Sequence, residues 1–148
     1  MTNLLQKIKK FYPRIEIYEK FISLIFWLAA IFYLSAQPGL FSDGVSIFDF
    51  IIRKLAHMFE FGILALLIFR LLNHLDNKVI KLNLLLALVL SIAYAILDEF
   101  HQSIVYGRVG IWWDVLIDTA GILIAIWLIA CAFKIVSLKY SLKLKVKS

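Results

Sequence analysis

Residues 21–37 read FISLIFWLAAIFYLSAQ, and this stretch decides the fold class of the chain. No charged residue occurs from Phe21 to Ser42, and the apolar run ends at the helix-breaking pair Pro38-Gly39. A charge-free apolar stretch of this length spans the hydrocarbon core of a bilayer when it is helical. The sequence therefore predicts a first transmembrane helix here.

Three later stretches have the same apolar character. They run from about Ile51 to Leu72, from about Leu82 to Gln102 and from about Ile111 to Ser137. The 148-residue chain is 63% hydrophobic, which exceeds what the core of a small soluble domain requires. We therefore expect an all-α integral membrane bundle of four transmembrane helices.

The basic residues predict the domain organisation and the orientation. Thirteen of the 16 Lys and Arg residues fall in residues 1–20, between Arg70 and Lys81 around the end of the second helix, or from Lys134 onwards. All three lie on one side of a four-span bundle, and the positive-inside rule makes that side the cytoplasm. We expect a basic interfacial segment at 1–20, one transmembrane domain at 21–137 and a basic tail at 138–148, with both termini cytoplasmic.

A set of strongly polar residues within or beside the later spans falls at the outward end of the predicted helices. Helical spacings of three and four place several of them on one side of each helix. Ionisable side chains at membrane depth need protein partners or water and are functional candidates. We call this set the polar cluster: Lys54, His57, Glu60, Asp98, Glu99, Gln102, Arg108, Asp114 and Asp118.

Two local features refine the expected geometry. Asp98 and Glu99 are adjacent and differ by about 100° around a helix, so we expect only one of them to face the bundle. Gly121 follows Asp118 on the fourth helix and is expected to let another helix approach closely. His101 is expected to be solvent-exposed at a helix end, and His74 to lie in a loop.

The ordered set of motifs resembles the VanZ-like family of small bacterial membrane proteins. The motifs are Lys54-x-x-His57-x-x-Glu60, then Asp98-Glu99-x-x-Gln102, then Arg108 with Asp114 and a small-residue stretch ending at Gly121. The segment FYLSAQPG also resembles the end of the family's first helix. One departure is Asp118, where the family pattern more often has Asn. The resemblance implies a multi-pass protein of the bacterial plasma membrane, and the family's namesake is associated with resistance to the lipoglycopeptide teicoplanin.

Three interpretations of the polar cluster stay open at the level of sequence. The first is a binding or modulating site for an outer-leaflet amphiphile, such as a lipid, a cell-envelope lipid precursor or a lipoglycopeptide. The second is an intramembrane hydrolase or transferase, with or without a divalent metal, acting on lipid-linked substrates. The third is a structural charge network, for example Lys54 with Asp98 and Arg108 with Asp114 or Asp118.

Membrane lipids are the expected partners of this chain. The net charge of +6 comes from lysines and arginines that flank apolar helices, without any nucleic-acid-binding motif. Nucleic acid is therefore excluded as an expected partner. The sequence predicts neither a particular cofactor or metal nor an oligomeric state.

Overall fold

The chain folds into four long helices. The computed structural model describes residues 2–37, 47–105 and 112–145, and their side chains at 15–37, 47–48, 51–105 and 112–137. Within these ranges there is no strand, and the helices are α1 (Thr2–Ser35), α2 (Ile47–Leu75), α3 (Ile80–Ile104) and α4 (Trp112–Lys145). The predicted all-α architecture is confirmed.

Each helix contains a segment long and apolar enough to cross a membrane. These segments are Ile15–Ser35, Ile51–Leu75, Ile80–Ile104 and Trp112–Ser137. All backbone N–H and C=O groups inside such a helix are satisfied within the segment, as a lipid environment requires. The four predicted spans are therefore confirmed.

The N-terminal segment and the first span form one helix. The helix α1 continues without interruption from Thr2 to Ser35, with Pro13 inside it, and its part from Ile15 to Ser35 is long and apolar enough to cross a membrane. Pro13 removes one backbone hydrogen-bond donor but leaves the helix intact. The interfacial position of residues 1–20 and the cytoplasmic location of both termini stay predictions.

The central element of the bundle is α2. It packs against each of the other helices, most extensively against α4, and α3 also packs against α4. Within the described residues α1 touches α2 and, to a smaller extent, α3, but does not pack against α4. The most apolar part of α2 is 33% buried, whereas that of α1 is only 6% buried. The bundle is therefore a three-helix core with a peripheral first helix.

Apolar side chains line the interior and also cover the outside. The buried hydrophobic residues are Ile31, Phe61, Leu64, Ala65, Ile68, Phe69, Ala87, Ala95 and Ile122. Large apolar side chains such as Phe26, Leu97 and Trp127 lie exposed on the outer surface. A soluble monomer rarely exposes so much contiguous apolar surface, whereas lipid tails solvate it.

The crossing of α2 and α4 is close because glycines occupy it. A Cβ atom at Gly121 would overlap the carbonyl oxygen of Met58 and lie 2.7 Å from its carbonyl carbon. Across the same crossing, a Cβ atom at Gly62 would lie 3.3 Å from the carbonyl oxygen of Gly121. Glycine at 121 therefore allows the backbones to touch, which confirms the prediction for that residue.

Side-chain hydrogen bonds to backbone oxygens attach the peripheral α1 to the core. The indole Nε1 of Trp27 donates to the carbonyl oxygen of Glu60 at 2.9 Å. The hydroxyl of Tyr94 donates to the carbonyl oxygen of Leu28, also at 2.9 Å. Hydrogen bonds of this kind fix the position of a helix that buries little apolar surface of its own.

Candidate functional site

The polar cluster is assembled where α1 and α3 end and α2 and α4 begin. We call this the cluster end of the bundle, and the other the opposite end. The residues come from the first turns of the α2 span, the last turns of α3 and the first turns of α4. Because successive helices run in opposite directions, these three segments meet at the same end.

Six members of the polar cluster surround one small cavity. The cavity encloses about 10 Å³, which is about the space that one water molecule needs. Its polar lining consists of Lys54, His57, Glu99, Gln102, Asp114 and Asp118, and Ile117 completes the wall. The sequence therefore identified side chains from three different helices that converge on one point.

An ion pair joins α2 to α4 at the rim of this cavity. The Nζ atom of Lys54 lies 2.5 Å from Oδ1 of Asp114, and both side chains are 22% exposed. The pairing of Lys54 with Asp98 offered at the level of sequence is not the one observed. Instead, the amide nitrogen Nε2 of Gln102 donates to Oδ2 of Asp98 at 2.7 Å, within α3.

Asp98 and Glu99 are both inside the bundle. Their exposed fractions are 4% and 8%, so the expectation that only one of them faces the interior is wrong. The reason is that α1, α2 and α4 all pack against α3, so that two directions about 100° apart are both covered. Glu99 lines the cavity, whereas Asp98 pairs with Gln102 beside it.

Glu60 does not line the cavity but contacts a residue that does. Its Oε2 atom is 3.6 Å from Nδ1 of His57, which itself lines the cavity. This contact lies within α2, between residues three positions apart. It provides a carboxylate that can orient the imidazole ring.

Asp118 is the most deeply buried acidic side chain of the site. It is 3% exposed, and its Oδ1 atom has no hydrogen-bond partner among the described residues. A buried carboxylate is costly in a low-dielectric environment unless it is hydrogen-bonded or paired. Asp118 thus lies inside the polar site, in the wall of the cavity.

Arg108 lies outside the described residues, in the connection between α3 and α4. Its place in the polar cluster and its pairing with Asp114 or Asp118 therefore stay predictions. Among the side chains that the structure does describe, no three His, Cys, Asp or Glu residues are grouped so that they could hold a metal ion. The metal-dependent alternative receives no support from this part of the chain.

A second polar contact at the cluster end was not anticipated. His101 Nδ1 lies 3.3 Å from Oγ of Ser35, and its ring stacks on Phe32 with centroids 4.3 Å apart. The Ser35 hydroxyl is fully buried and donates to the carbonyl oxygen of Phe32. His101 therefore joins α3 to α1 and is only partly exposed. His74, expected in a loop, lies in the last turn of α2.

An apolar groove runs along the outside of the α2–α4 contact. It encloses about 540 Å³, and its lining is almost entirely apolar. The groove begins at Leu55 and Met58, which directly follow Lys54 and His57 of the polar cavity in the chain. On α4 it begins at Gly121, three residues after Asp118. We call it the α2–α4 groove.

Comparison with known proteins identifies the family. The family model described as VanZ/LLP1 matches residues 16–134, a range that includes nearly all of the four spans and the whole polar cluster. No curated protein and no solved structure matches the chain. The suspected resemblance is confirmed by a match that extends over most of the sequence. The chain is thus a multi-pass membrane protein that belongs to the VanZ/LLP1 family.

Proposed function

We propose that this protein binds an amphiphile at the cluster end of the bundle. The ligand's headgroup contacts the rim of the polar cavity, and an alkyl chain lies in the α2–α4 groove. The observation that carries the proposal is the direct adjacency of the two: Lys54 lines the cavity and Leu55 the groove. The ligand classes that fit are a phospholipid, a lipid precursor of the cell envelope, or a lipoglycopeptide such as teicoplanin.

The headgroup binds at the rim because the cavity itself is too small. About 10 Å³ holds no more than about one water molecule, whereas Lys54 and Asp114 are each partly exposed. The ammonium group of Lys54 can donate to a phosphate or carboxylate through charge-assisted hydrogen bonds. Asp114, already in contact with that ammonium group, would hold it in position. Arg53 is exposed one residue earlier and adds positive charge.

The chain of the ligand fits the groove by size and by chemistry. Ligand pockets commonly enclose about 300–1,000 Å³ and are mostly apolar, and the α2–α4 groove encloses about 540 Å³. Trp112 and Trp113 stack on each other at the start of α4 and are largely exposed. Exposed tryptophans favour the headgroup level of a membrane, which is where the headgroup of such a ligand lies.

A structural charge network is the second candidate. It is favoured by the ion pair between Lys54 and Asp114 and by the hydrogen bond between Gln102 and Asp98, since both are contacts within the protein. If this is the whole role of the cluster, neutralising one partner lowers stability and leaves ligand binding unchanged. An intramembrane hydrolase or transferase remains a prediction.

Native mass spectrometry of the purified protein in lipid nanodiscs tests the proposal. The wild type is compared with Arg108→Ala and Asp114→Asn, and co-purified lipids and metals are identified. We expect the wild type to retain a defined amphiphile and both variants to lose it. In cells, both variants should abolish any phenotype of the protein while its level in the membrane stays normal.

Matched variants separate loss of the site from general damage. Lys81→Ala and Asp76→Asn change the same charges at exposed positions of the opposite end and should retain the ligand. Ala125→Phe fills the groove and should lose the ligand. Ala93→Phe adds the same ring on the exposed side of α3 and should retain the ligand. Folded Arg108→Ala and Asp114→Asn proteins with wild-type lipid content would leave the structural network as the explanation.

A further inference from the structure

A pocket at the opposite end of the bundle lies between α1, α2 and α4. It encloses about 540 Å³, and α1 contributes Glu16 and Lys20 to its lining. The pocket exists because α1 packs against α2 but, in the described part of the chain, not against α4. The first turns of the α1 span therefore form a wall of the pocket that α4 does not support.

The attachment of α1 to the bundle changes along its length. Among the described residues, the α1 side chains that belong to the hydrophobic core or pack against it all lie between Leu24 and Ile31. The hydrogen bond from Trp27 to α2 lies in the same part of the helix. Before Leu24, large apolar side chains point outward, for example Tyr18 and Ile22, each 65% exposed. The hydrophobic attachment of α1 thus begins at Leu24.

Charged contacts attach the part of α1 that precedes Leu24. Arg70 on α2 donates from Nη2 to both carboxylate oxygens of Glu19, at 3.2 and 3.3 Å. One turn further along α2, Nδ1 of His74 lies 3.7 Å from Oε2 of Glu16. We call these two contacts the latch. The side chains of Arg70 and Glu19 are 43% and 53% exposed, and ion pairs this exposed are weak and are screened by other ions.

Ser23 provides a bending point between the latch and the hydrophobic attachment. Its hydroxyl donates to the carbonyl oxygen of Lys20 at 2.9 Å. A serine hydroxyl bonded to a carbonyl of the preceding turn competes with the backbone hydrogen bonds of a helix and often bends it. The residues from Ile15 to Ser23 can therefore move while the rest of the α1 span stays in place.

We propose that residues 15–23 of α1 are a lid over this pocket, and that anionic phospholipid headgroups open the lid by replacing Glu19 at Arg70. A phosphate group accepts the same charge-assisted hydrogen bonds from a guanidinium group as a carboxylate does. Arg70 lies near the end of its span, at the level of lipid headgroups, and is exposed enough to meet one. Lysines near this end, such as Lys78 and Lys134, attract anionic lipids. Once displaced, Glu19 is repelled by the anionic surface, and the lid moves away from α2.

Distances between two spin labels test the lid. The labels are attached at Tyr18→Cys on α1 and Val136→Cys on α4, both exposed positions, in a Cys131→Ala background. They are measured by double electron–electron resonance in nanodiscs of phosphatidylcholine or of phosphatidylglycerol with the same acyl chains. We expect an open population about two- to fivefold larger in phosphatidylglycerol, the factor that corresponds to the loss of one exposed ion pair. Arg70→Glu should open the lid in phosphatidylcholine, and Arg70→Glu/Glu19→Arg should close it again.

Matched controls separate the lid from other effects of charge. Lys81→Gln removes an exposed cation of the same end, on α3, and should keep the response to phosphatidylglycerol. Labels at Leu34→Cys and Leu116→Cys, on α1 and α4 at the cluster end, should show one unchanged distance. Ser23→Ala removes the hydroxyl at the bending point and should reduce the open population in phosphatidylglycerol.

Four results would overturn the proposal. They are equal open populations in the two lipids, a charge-swapped variant that stays open, an equal change at the cluster-end labels, and opening by inorganic phosphate in phosphatidylcholine, which would assign the effect to a soluble anion. If Arg70→Glu does not fold, Glu19→Gln removes the same contact and decides. Arg108→Ala and Asp114→Asn should leave the lid unchanged, so the lid and the site at the cluster end can fail separately.

Discussion

The crossing of α2 and α4 allows a prediction in which two glycines of the same contact respond in opposite ways. In Gly121→Ala, the added Cβ overlaps the carbonyl oxygen of Met58 and lies 2.7 Å from its carbonyl carbon. Carbon atoms pack at about 3.5–4.0 Å, so the helices must separate by about 1 Å. The obstructing atoms belong to the backbone of α2 and cannot rotate away.

The change in the stability of Gly121→Ala is the sum of two opposing effects. Overpacking of a tight contact costs about 1–3 kcal/mol, and a clash with backbone places Gly121→Ala at the upper end of that range. Replacing glycine by alanine within a helix returns about 1 kcal/mol. The net result is a protein less stable by about 2 kcal/mol.

Gly62→Ala is the matched control, since it adds the same atom to the same crossing. Its Cβ would lie 3.3 Å from the carbonyl oxygen of Gly121 and 3.7 Å from Cβ of Ala125. A shift of a few tenths of an ångström accommodates it. We expect Gly62→Ala to range from unchanged to about 1 kcal/mol more stable, because the helix-propensity gain then outweighs the small strain.

Thermal unfolding in one detergent, followed by helical circular dichroism and tryptophan fluorescence, measures both variants. For a chain of this size, about 2 kcal/mol corresponds to a fall in Tm of roughly 4–8 °C. Gly121→Ala should show that fall, and Gly62→Ala should not. A Tm of Gly121→Ala equal to the wild type, or an equal fall in both variants, would refute the inferred backbone contact.

Two further predictions concern the ion pair and the orientation. Lys54→Met leaves the partly buried Asp114 without the cation of its ion pair. By thermal unfolding, it should cost about 2 kcal/mol more than the double variant Lys54→Met/Asp114→Leu, because the double variant also removes the carboxylate of that pair. A double variant no more stable than the single one would contradict this. Gly44→Cys, in a segment outside the described residues, should react with a membrane-impermeant thiol reagent added from outside, because the positive-inside rule places that segment there. Labelling only from the cytoplasm would reverse the orientation.

The four spans and the membership of the polar cluster were predictable because both are patterns along the chain. Long apolar stretches specify spans by length, and the polar residues interrupt them at regular helical positions. A four-span topology then brings alternate helix ends together. Eight of the nine cluster residues are described, and six of them line one cavity.

The pairing of those side chains was not predictable, because it depends on how each helix is rotated and on which helices surround it. Lys54 pairs with Asp114 because the starts of α2 and α4 are in contact, which no spacing within one helix reveals. Asp98 and Glu99 are both buried because three helices surround α3. The contact between His101 and Ser35 has the same origin, since α1 and α3 are neighbours only in the folded bundle.

A pocket of about 540 Å³ at the opposite end, between α1, α2 and α4, exists because α1 and α4 do not pack against each other among the described residues. Sequence patterns report which side of a helix is apolar, and α1 is apolar on nearly all sides of its span. Such a helix has no pattern that selects α2 over α4 as its neighbour. The gap between α1 and α4 therefore appears only in three dimensions.

The same close crossing shapes both the groove and the polar cavity. Gly121 lies three residues after Asp118, and Met58 directly follows His57, so the backbone contact between Gly121 and Met58 sets the separation of the cavity walls. A cavity of about 10 Å³ cannot absorb a separation of about 1 Å without admitting further water. Water screens the attraction between Lys54 and Asp114, and it would weaken the positioning of the ammonium group for a ligand. The glycine that brings α2 and α4 together is therefore expected to influence ligand affinity as well as stability, although it contacts no ligand headgroup.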